Sequence, residues 1–384
     1  MNLGKRTFRG RAATLALPAL FWASGALAQS WSQRSPISTL PAPRADATAV
    51  YNAAVNRIVL FGGASTYCGS PGANFNDTWL LSPEDGSGAP AWINTIPNGA
   101  IGSPPIRRGQ TAVYDAVHDR MTIYGGDAEN CSSEKLGDVW VLINAVGALG
   151  KPKWEKLPQS ASRPQPRSDH AAVYDPVNNV MVIAGGTGIE GPLNDVWALK
   201  NANGLGGLPT WTQLNPTGGP PPANAMRATT YDPLTNRMTV FGGWVCCLGP
   251  ISDEVWVLTG ANGLAGGSHW VQLAPAGSGP SPRMGSTAVY DPIANRMIIF
   301  GGDTETGLGG QVNEVWVLSN SNGSGGTPQW NLIGFAGAQP APRGGPGDTQ
   351  NTIVYNPAAN TVTIFGGNTP GGYVNDTWGL VVPR

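Results

Sequence analysis

Ala171-Ala172-Val173-Tyr174-Asp175-Pro176-Val177-Asn178-Asn179-Val180-Met181-Val182-Ile183-Ala184-Gly185-Gly186 decides the fold of this chain. Two short apolar runs of strand type flank a Pro- and Asn-bearing turn, and the second run stops on a Gly pair, which is a hairpin signature. A loop then leads to Asn194-Asp195-Val196-Trp197, which opens a third run, and a Gly-rich hairpin leads to a fourth run marked by Trp211. Neither run is long enough for a helix of ordinary length. The unit is a four-stranded meander of about 60 residues.

The same unit recurs along the chain. Strand two ends in Gly-Gly after Phe61, Tyr124, Ala184, Phe241, Phe300 and Phe365. The third strand's tryptophan recurs at Trp79, Trp140, Trp197, Trp256, Trp316 and Trp378, and the fourth strand's at Trp31, Trp92, Trp154, Trp211, Trp270 and Trp330. Twelve of the 14 tryptophans therefore fall on two interleaved ladders. A sheet unit that repeats this way buries its core only against its neighbours, so six units predict one closed ring over 29–384, all-β, with four antiparallel strands per blade. The spacing also predicts how the ring closes. Blade six reaches Trp378 with no outer tryptophan after it, while Trp31 precedes Arg44 by the same interval that separates Trp154 from Arg167 and Trp270 from Arg283. The strand around Trp31 is therefore expected to complete blade six.

Gly-Gly at the end of strand two, a Tyr before the first turn and a Trp after the following loop resemble the kelch repeat, across essentially all of 30–384. The resemblance implies a kelch-type propeller of the kind at the centre of galactose oxidase, here with longer outer hairpins and of a bacterial exported style. It implies no single activity. The galactose oxidase copper site needs two Tyr, two His and a Cys-modified Tyr, and no such set converges here. The iron-binding run of the nitrile-specifier proteins has no counterpart either, so no metal and no cofactor is expected.

Residues 1–28 read as a signal peptide: Lys5, Arg6, Arg9 and Arg11 precede an apolar run that ends in Ala26-Leu27-Ala28. Lys5-Arg6-Thr7-Phe8 resembles a twin-arginine motif with Lys in the first place, so the general secretory route is the expectation. Export implies a periplasmic or extracellular protein after cleavage near Ala28. Cleavage would leave 19 basic against 24 acidic residues, since this segment holds four of the 23 Lys and Arg and none of the acids. That balance does not suit nucleic acid. No stretch reads as a membrane insertion, and a monomer is expected.

Candidate site residues lie on the strands that would line the central channel. Counting from the outer tryptophans gives Arg44, Arg167, Asn224, Arg283 and Arg343, with Arg107 displaced by two. A ring of guanidiniums suits carboxylate or phosphate, and kelch adaptors use strand-one arginines for acidic loops. Against this stands a carboxylate two residues before each third-strand Trp: Asp77, Asp138, Asp195, Glu254, Glu314 and Asp376. Buried pairing within each blade would consume the ring, and this is the favoured reading. Blade four departs from the repeat: Asn224 stands for Arg, Arg227 follows where blade three has His170, and Trp244 sits in the loop after strand two. In blade six Asp348 lies on a five-residue insertion after Arg343. Trp244 is read either as a ligand contact or as packing over a neighbouring loop.

Cys68 and Cys131 occupy corresponding loops of adjacent blades and are expected to form a disulfide; a vicinal Cys246–Cys247 bridge is the second candidate. The three histidines are scattered, which argues against a soft metal site. Asn201-Ala202-Asn203-Gly204 lacks the carboxylates a calcium loop needs. The expected function is a binding or scaffold module that recognises a glycan or an acidic peptide or protein at the channel mouth. The alternative is a carbohydrate-active enzyme (mutarotase-, lyase- or oxidase-like) using the same mouth, for which no catalytic residue is assigned.

Overall fold

The computed structural model of the chain describes residue 1 and residues 29–66, 74–82, 90–128, 134–222, 225, 227–245, 249–264, 266–305, 309–344 and 352–383. Among them there is no helix, and the strands form six four-stranded antiparallel sheets with one short extra hairpin at Thr187–Gly188 and Gly191–Pro192. Blade three runs Ala171–Asp175, Val180–Ala184, Val196–Lys200 and Thr210–Leu214, from the centre outward. The first strands of neighbouring blades touch one another all the way round, including Thr48–Asn52 against Thr352–Asn356. Blade six is composite: Thr352–Asn356, Thr361–Thr369 and Gly372–Val381 come from the C-terminal end, and Trp31–Arg34 pairs on the outside, with Trp31 opposite Leu380. The expected closure is the observed one.

The recurring residues have identifiable tasks. Each first-strand Tyr donates its hydroxyl to the Asn or Asp five residues later, as Tyr174 does to Asn179 Oδ1 at 3.1 Å. That acceptor sits at positive φ, 54° for Asn179, a conformation Asn and Asp tolerate better than other side chains. Asp175 Oδ1 accepts the amides of Val177 and Asn178 and so closes the same turn. The third-strand Trp donates its indole N–H to the carboxylate two residues before it in all six blades, at 2.7–2.9 Å.

The Gly pair fastens blade to blade. The second glycine donates its amide to the carbonyl of the next blade's strand-one arginine: Gly63 to Arg107, Gly126 to Arg167, and Gly367 to Arg44 across the seam at 2.8 Å. The first glycine lies so close to that carbonyl that a Cβ on Gly125 would stand 2.4 Å from Arg167 O. Its φ is +71° as well, so any side chain there would be strained. The outer tryptophans, 2–6% exposed, pack across the same interfaces. Trp154 meets Phe61 of the preceding blade at a centroid distance of 4.6 Å, and Trp31 meets Phe300 at 5.4 Å. Between blades three and four the aromatic is replaced by Ala184, and a small cavity of about 20 Å³ beside Trp270 and Arg227 remains.

A second fastening runs along the opposite rim. Asn203 in the outer hairpin of blade three donates to Asp115 of blade two at 2.6 Å, and Asn262 to Asp175 and Asn322 to Asp232 repeat the bond at 2.7 Å. The Asn-x-Asn-Gly segment is thus an inter-blade clasp.

Candidate functional site at the channel mouth

Strand one alternates sides from its arginine onward, and this decides which residues face the channel. The arginines turn into their own blades. Arg44 makes a two-pronged pair with Asp77 at 2.6 and 2.9 Å, and Arg107 with Asp138, Arg167 with Asp195 and Arg343 with Asp376 repeat it. Arg283 donates one bond to Glu314 at 2.8 Å. Each Nη1 also donates to the carbonyl of the first glycine of its own blade's Gly-Gly pair, and each Nε to the carbonyl two residues back, as Arg167 does to Gly185 and Gln165. All five are no more than 1% exposed and none lines the central cavity. Their donors are spent inside the blade, as the pairing reading expects. Burial opposes ionisation of Asp138 and Asp195, yet the bonds from Arg107 and Arg167 outweigh it and hold both carboxyls below the usual range.

Three residues after each arginine position the chain faces inward. Ala47, Gln110, His170, Arg227 and Ser286 line a central cavity of about 210 Å³, together with Asp46 and Asp169. His170 is buried, its Nε2 lies 2.6 Å from the Thr111 hydroxyl, and its ring stands edge-on to Tyr124. Burial first, and the Arg167 charge second, push its pKa well below the ordinary value, so the imidazole is neutral at pH 7. Arg227 donates from Nη2 to the Pro222 carbonyl at 2.7 Å. Burial lowers its pKa to about 10, with the Glu254 charge opposing the shift. The described ion pairs include none between Arg227 and Glu254; Glu254 instead accepts the Trp256 indole. Arg227 is thus a half-buried cation that lines both the central cavity and the small crevice beside Trp270, where its bonded carbonyl of Pro222 lies, unlike the five paired arginines.

Trp244 is elsewhere. Its indole N–H reaches the Gly249 carbonyl at 3.2 Å, its backbone bridges to Ala225 and Ile251, and its ring packs on Ala225 and Met284. Its contacts are thus with its own blade-four loop and with Met284 of blade five, away from the central cavity. Asn224, Asp348 and the four cysteines, Cys68, Cys131, Cys246 and Cys247, lie outside the described residues, as do residues 2–28 of the leading segment. Among the described residues no group of His, Cys, Asp or Glu could hold a metal, and no helix is long and apolar enough to cross a membrane.

Sequence reading missed Asp46 and Asp169, which flank the mouth at φ 54° each. The signal was present, since Gly109 and Gly285 hold the same positive-φ place in blades two and five. The exposed acids Glu134, Glu190 and Glu305 were missed too; with Asp253, which the sequence shows as a second acid beside Glu254, they rim this mouth on the loops after strand two.

Known proteins share this framework. The family described as the KLHDC2/KLHL20/DRC7 Kelch-repeats domain matches residues 89–259 and 229–382. An adagio-like protein 2 of Oryza sativa subsp. japonica is 28% identical over 309 residues, 75% of this chain and 42% of that protein. Human host cell factor 1 is 34% identical over 139 residues, 34% of this chain and 6% of that one. Subunit 7 of the dynein regulatory complex of Chlamydomonas reinhardtii is 29% identical over 141 residues, 36% of this chain and 11% of its own length. The chain thus spans less than half the length of each of these relatives. The solved structure of YjhT superposes with a TM-score of 0.58 at 16% identity, covering 88% of this chain and 95% of that one, which shows the fold. With the family match covering most of the ring and six Gly-Gly blades observed, this chain belongs to the kelch-repeat family.

Proposed function

We propose that the chain is a binding scaffold that receives a partner on the face where its first strands begin. The partner is a protein or a glycan that seats one carboxylate on Arg227. The observation that carries this reading is the cation itself. Arg227 stands on the cavity wall with a backbone carbonyl as its bonded partner, where the repeat's other arginines are locked to acids. A half-buried guanidinium gains most from an anion that replaces its lost hydration. Neutral His170 and Gln110, Thr111 and Ser286 on the same wall supply the polar contacts an acidic sugar or a peptide carboxylate would need.

The acidic rim narrows the class. Exposed Glu134, Glu190, Asp253 and Glu305 repel a run of carboxylates, so an acidic peptide is read through one buried group rather than many. Relatives named as a host cell factor and a dynein regulatory subunit support the scaffold reading, since a regulatory subunit works within an assembly. We place the chain outside the cytoplasm on the basic and apolar pattern of 1–28, with the Cys68–Cys131 bridge that an oxidising compartment would allow.

A glycan and peptide array on the full chain tests the reading, with turnover measured on each hit. Hits should carry a carboxylate, and Arg227→Ala should weaken them by roughly ten- to a hundredfold, the range for a hydrogen bond to a charged group. Trp244→Ala should act on blade-four packing and leave affinity nearly unchanged. Hits without an anionic group, or indifferent to Arg227→Ala, would sink the site assignment. Turnover of a bound sugar would replace the scaffold by a carbohydrate-active enzyme.

A further inference from the structure

Antiparallel pairing puts the turns between strands one and two, and the hairpins between strands three and four, on the face opposite Arg227's mouth. Four consecutive blades carry a branched aliphatic side chain at the tip of the first turn: Val117, Val177, Leu234 and Ile293, 65–86% exposed. The turn does not require them. Blades one and six have Ala54 and Ala358 there, with the same amide bond to the Asn side chain two residues back, at 2.9 and 3.0 Å. In blades two to four the outer hairpin adds Leu149, Leu208 and Leu264, each more than half exposed. The result is a crescent of separate aliphatic tips covering four of the six blades. Ile37, Ile101 and Ile189 are exposed on the opposite face, but only here does an exposed aliphatic repeat at the same place in blade after blade where alanine would serve.

Among the described residues, the turn and hairpin tips of blades two and three expose basic side chains. Lys151, Lys153 and Lys200 are exposed beside the leucines. The acids of the same turns, Asp115, Asp175, Asp232 and Asp291, are buried in turn closure and in inter-blade bonds. The opposite mouth bears the exposed acids Glu134, Glu190, Asp253 and Glu305.

We infer that the crescent docks this protein on an anionic lipid surface. The lysines complement anionic headgroups, and the aliphatic tips enter the boundary between headgroups and acyl chains. A fluid phase accepts isolated tips one blade apart, whereas a folded partner would have to present a pocket at each. Docked this way, the mouth with Arg227 points away from the membrane, so the two faces work independently.

Co-sedimentation of the full chain with phosphatidylcholine vesicles, with and without about a third phosphatidylglycerol, decides the matter. The protein should pellet with the phosphatidylglycerol vesicles and much less with the neutral ones. The variant Leu149→Ser/Leu208→Ser/Leu234→Ser and the variant Lys151→Glu/Lys153→Glu/Lys200→Glu should each lower the apparent affinity at least about tenfold. Ile189→Ser, an exposed aliphatic on the opposite face, should change nothing, and an unaltered melting temperature establishes that each variant is folded. Failure of the native chain to pellet with phosphatidylglycerol vesicles overturns the inference, and so does equal loss in Ile189→Ser. Native self-association in vesicle-free sedimentation velocity, abolished by the leucine variant, assigns the crescent to a second copy of the chain and overturns it too.

Discussion

At the scale of the residue, the same arginine–acid pair does not weigh the same in every blade. Arg44 and Asp77 are buried almost completely, with side-chain exposures of 1% and 6%, and share two bonds. Glu314, the partner of Arg283, keeps 38% of its side chain in water and receives one bond from it. Removing one member of a buried pair leaves the other as an uncompensated charge. Arg44→Leu should therefore cost about 3–5 kcal/mol. Arg283→Leu leaves a hydrated carboxylate and should cost nearer 1 kcal/mol, because solvent already screens it. Urea midpoints of the two variants against the native chain measure the difference; equal losses would mean that the guanidinium's bonds to backbone carbonyls, common to both blades, carry the stability. The residue type at these positions was legible from spacing alone. Their orientation was not, because a strand shows alternate residues to opposite sides and only the observed register says which side faces the channel.

At the scale of the element, a blade is held by two kinds of inter-blade bond at its two rims. The Gly-Gly bonds are built into backbone geometry and tolerate no side chain, whereas the Asn clasp is a side-chain bond that mutation can remove cleanly. Asn262 also bonds Asn236 and caps its own hairpin through the Leu264 amide, so it joins two blades and a turn. Asn262→Ala should lower stability by about 1–3 kcal/mol, since Asp175 Oδ2 loses a buried donor and the hairpin loses its cap. Asn203→Ala should do likewise, and the double variant should lose the sum of the two, because the clasps lie in different interfaces. Thermal melts of the single and double variants check this; a double variant no worse than either single one would show that one opened clasp already frees the rim. The motif itself could be read from the sequence as a hairpin, but its partner was invisible there, lying some 88 residues away in Asp115 or Asp175.

At the scale of the whole molecule, stability depends on a seam sewn by the two ends of the chain. Trp31 fills the slot between Phe300 and Phe335 and is 5% exposed, while the outer strand it belongs to pairs only with the last strand of blade six. Deleting residues 29–40 removes that strand and exposes an open sheet edge together with the core around Val362, Ile364 and Leu380. The shortened chain should lose its single cooperative transition and melt at a lower temperature. Trp31→Ala should keep the ring but cost about 3–5 kcal/mol through the cavity it leaves. Calorimetry distinguishes the two; a shortened chain that melts as one unit at the native temperature would show that closure rests on the first strands alone.

By itself, the sequence determined the strand count, the six-blade period, the composite sixth blade and the supply of one acid per arginine. All of these follow from local pattern and from spacing, which repetition reports six times over. Only the tertiary structure decided which way each polar side chain points. It sent five arginines into their blades and left Arg227 with His170 on the channel wall. It packed Trp244 on Ala225 and Met284, and it placed the aliphatic turn tips of four blades on the face away from the exposed acids Glu134, Glu190, Asp253 and Glu305. The physical reason is that a side chain's neighbours across a blade interface lie about 60 to 90 residues away, as Tyr114 does from Asn52 and Asp115 from Asn203, and burial is a property of the closed ring that no single repeat possesses.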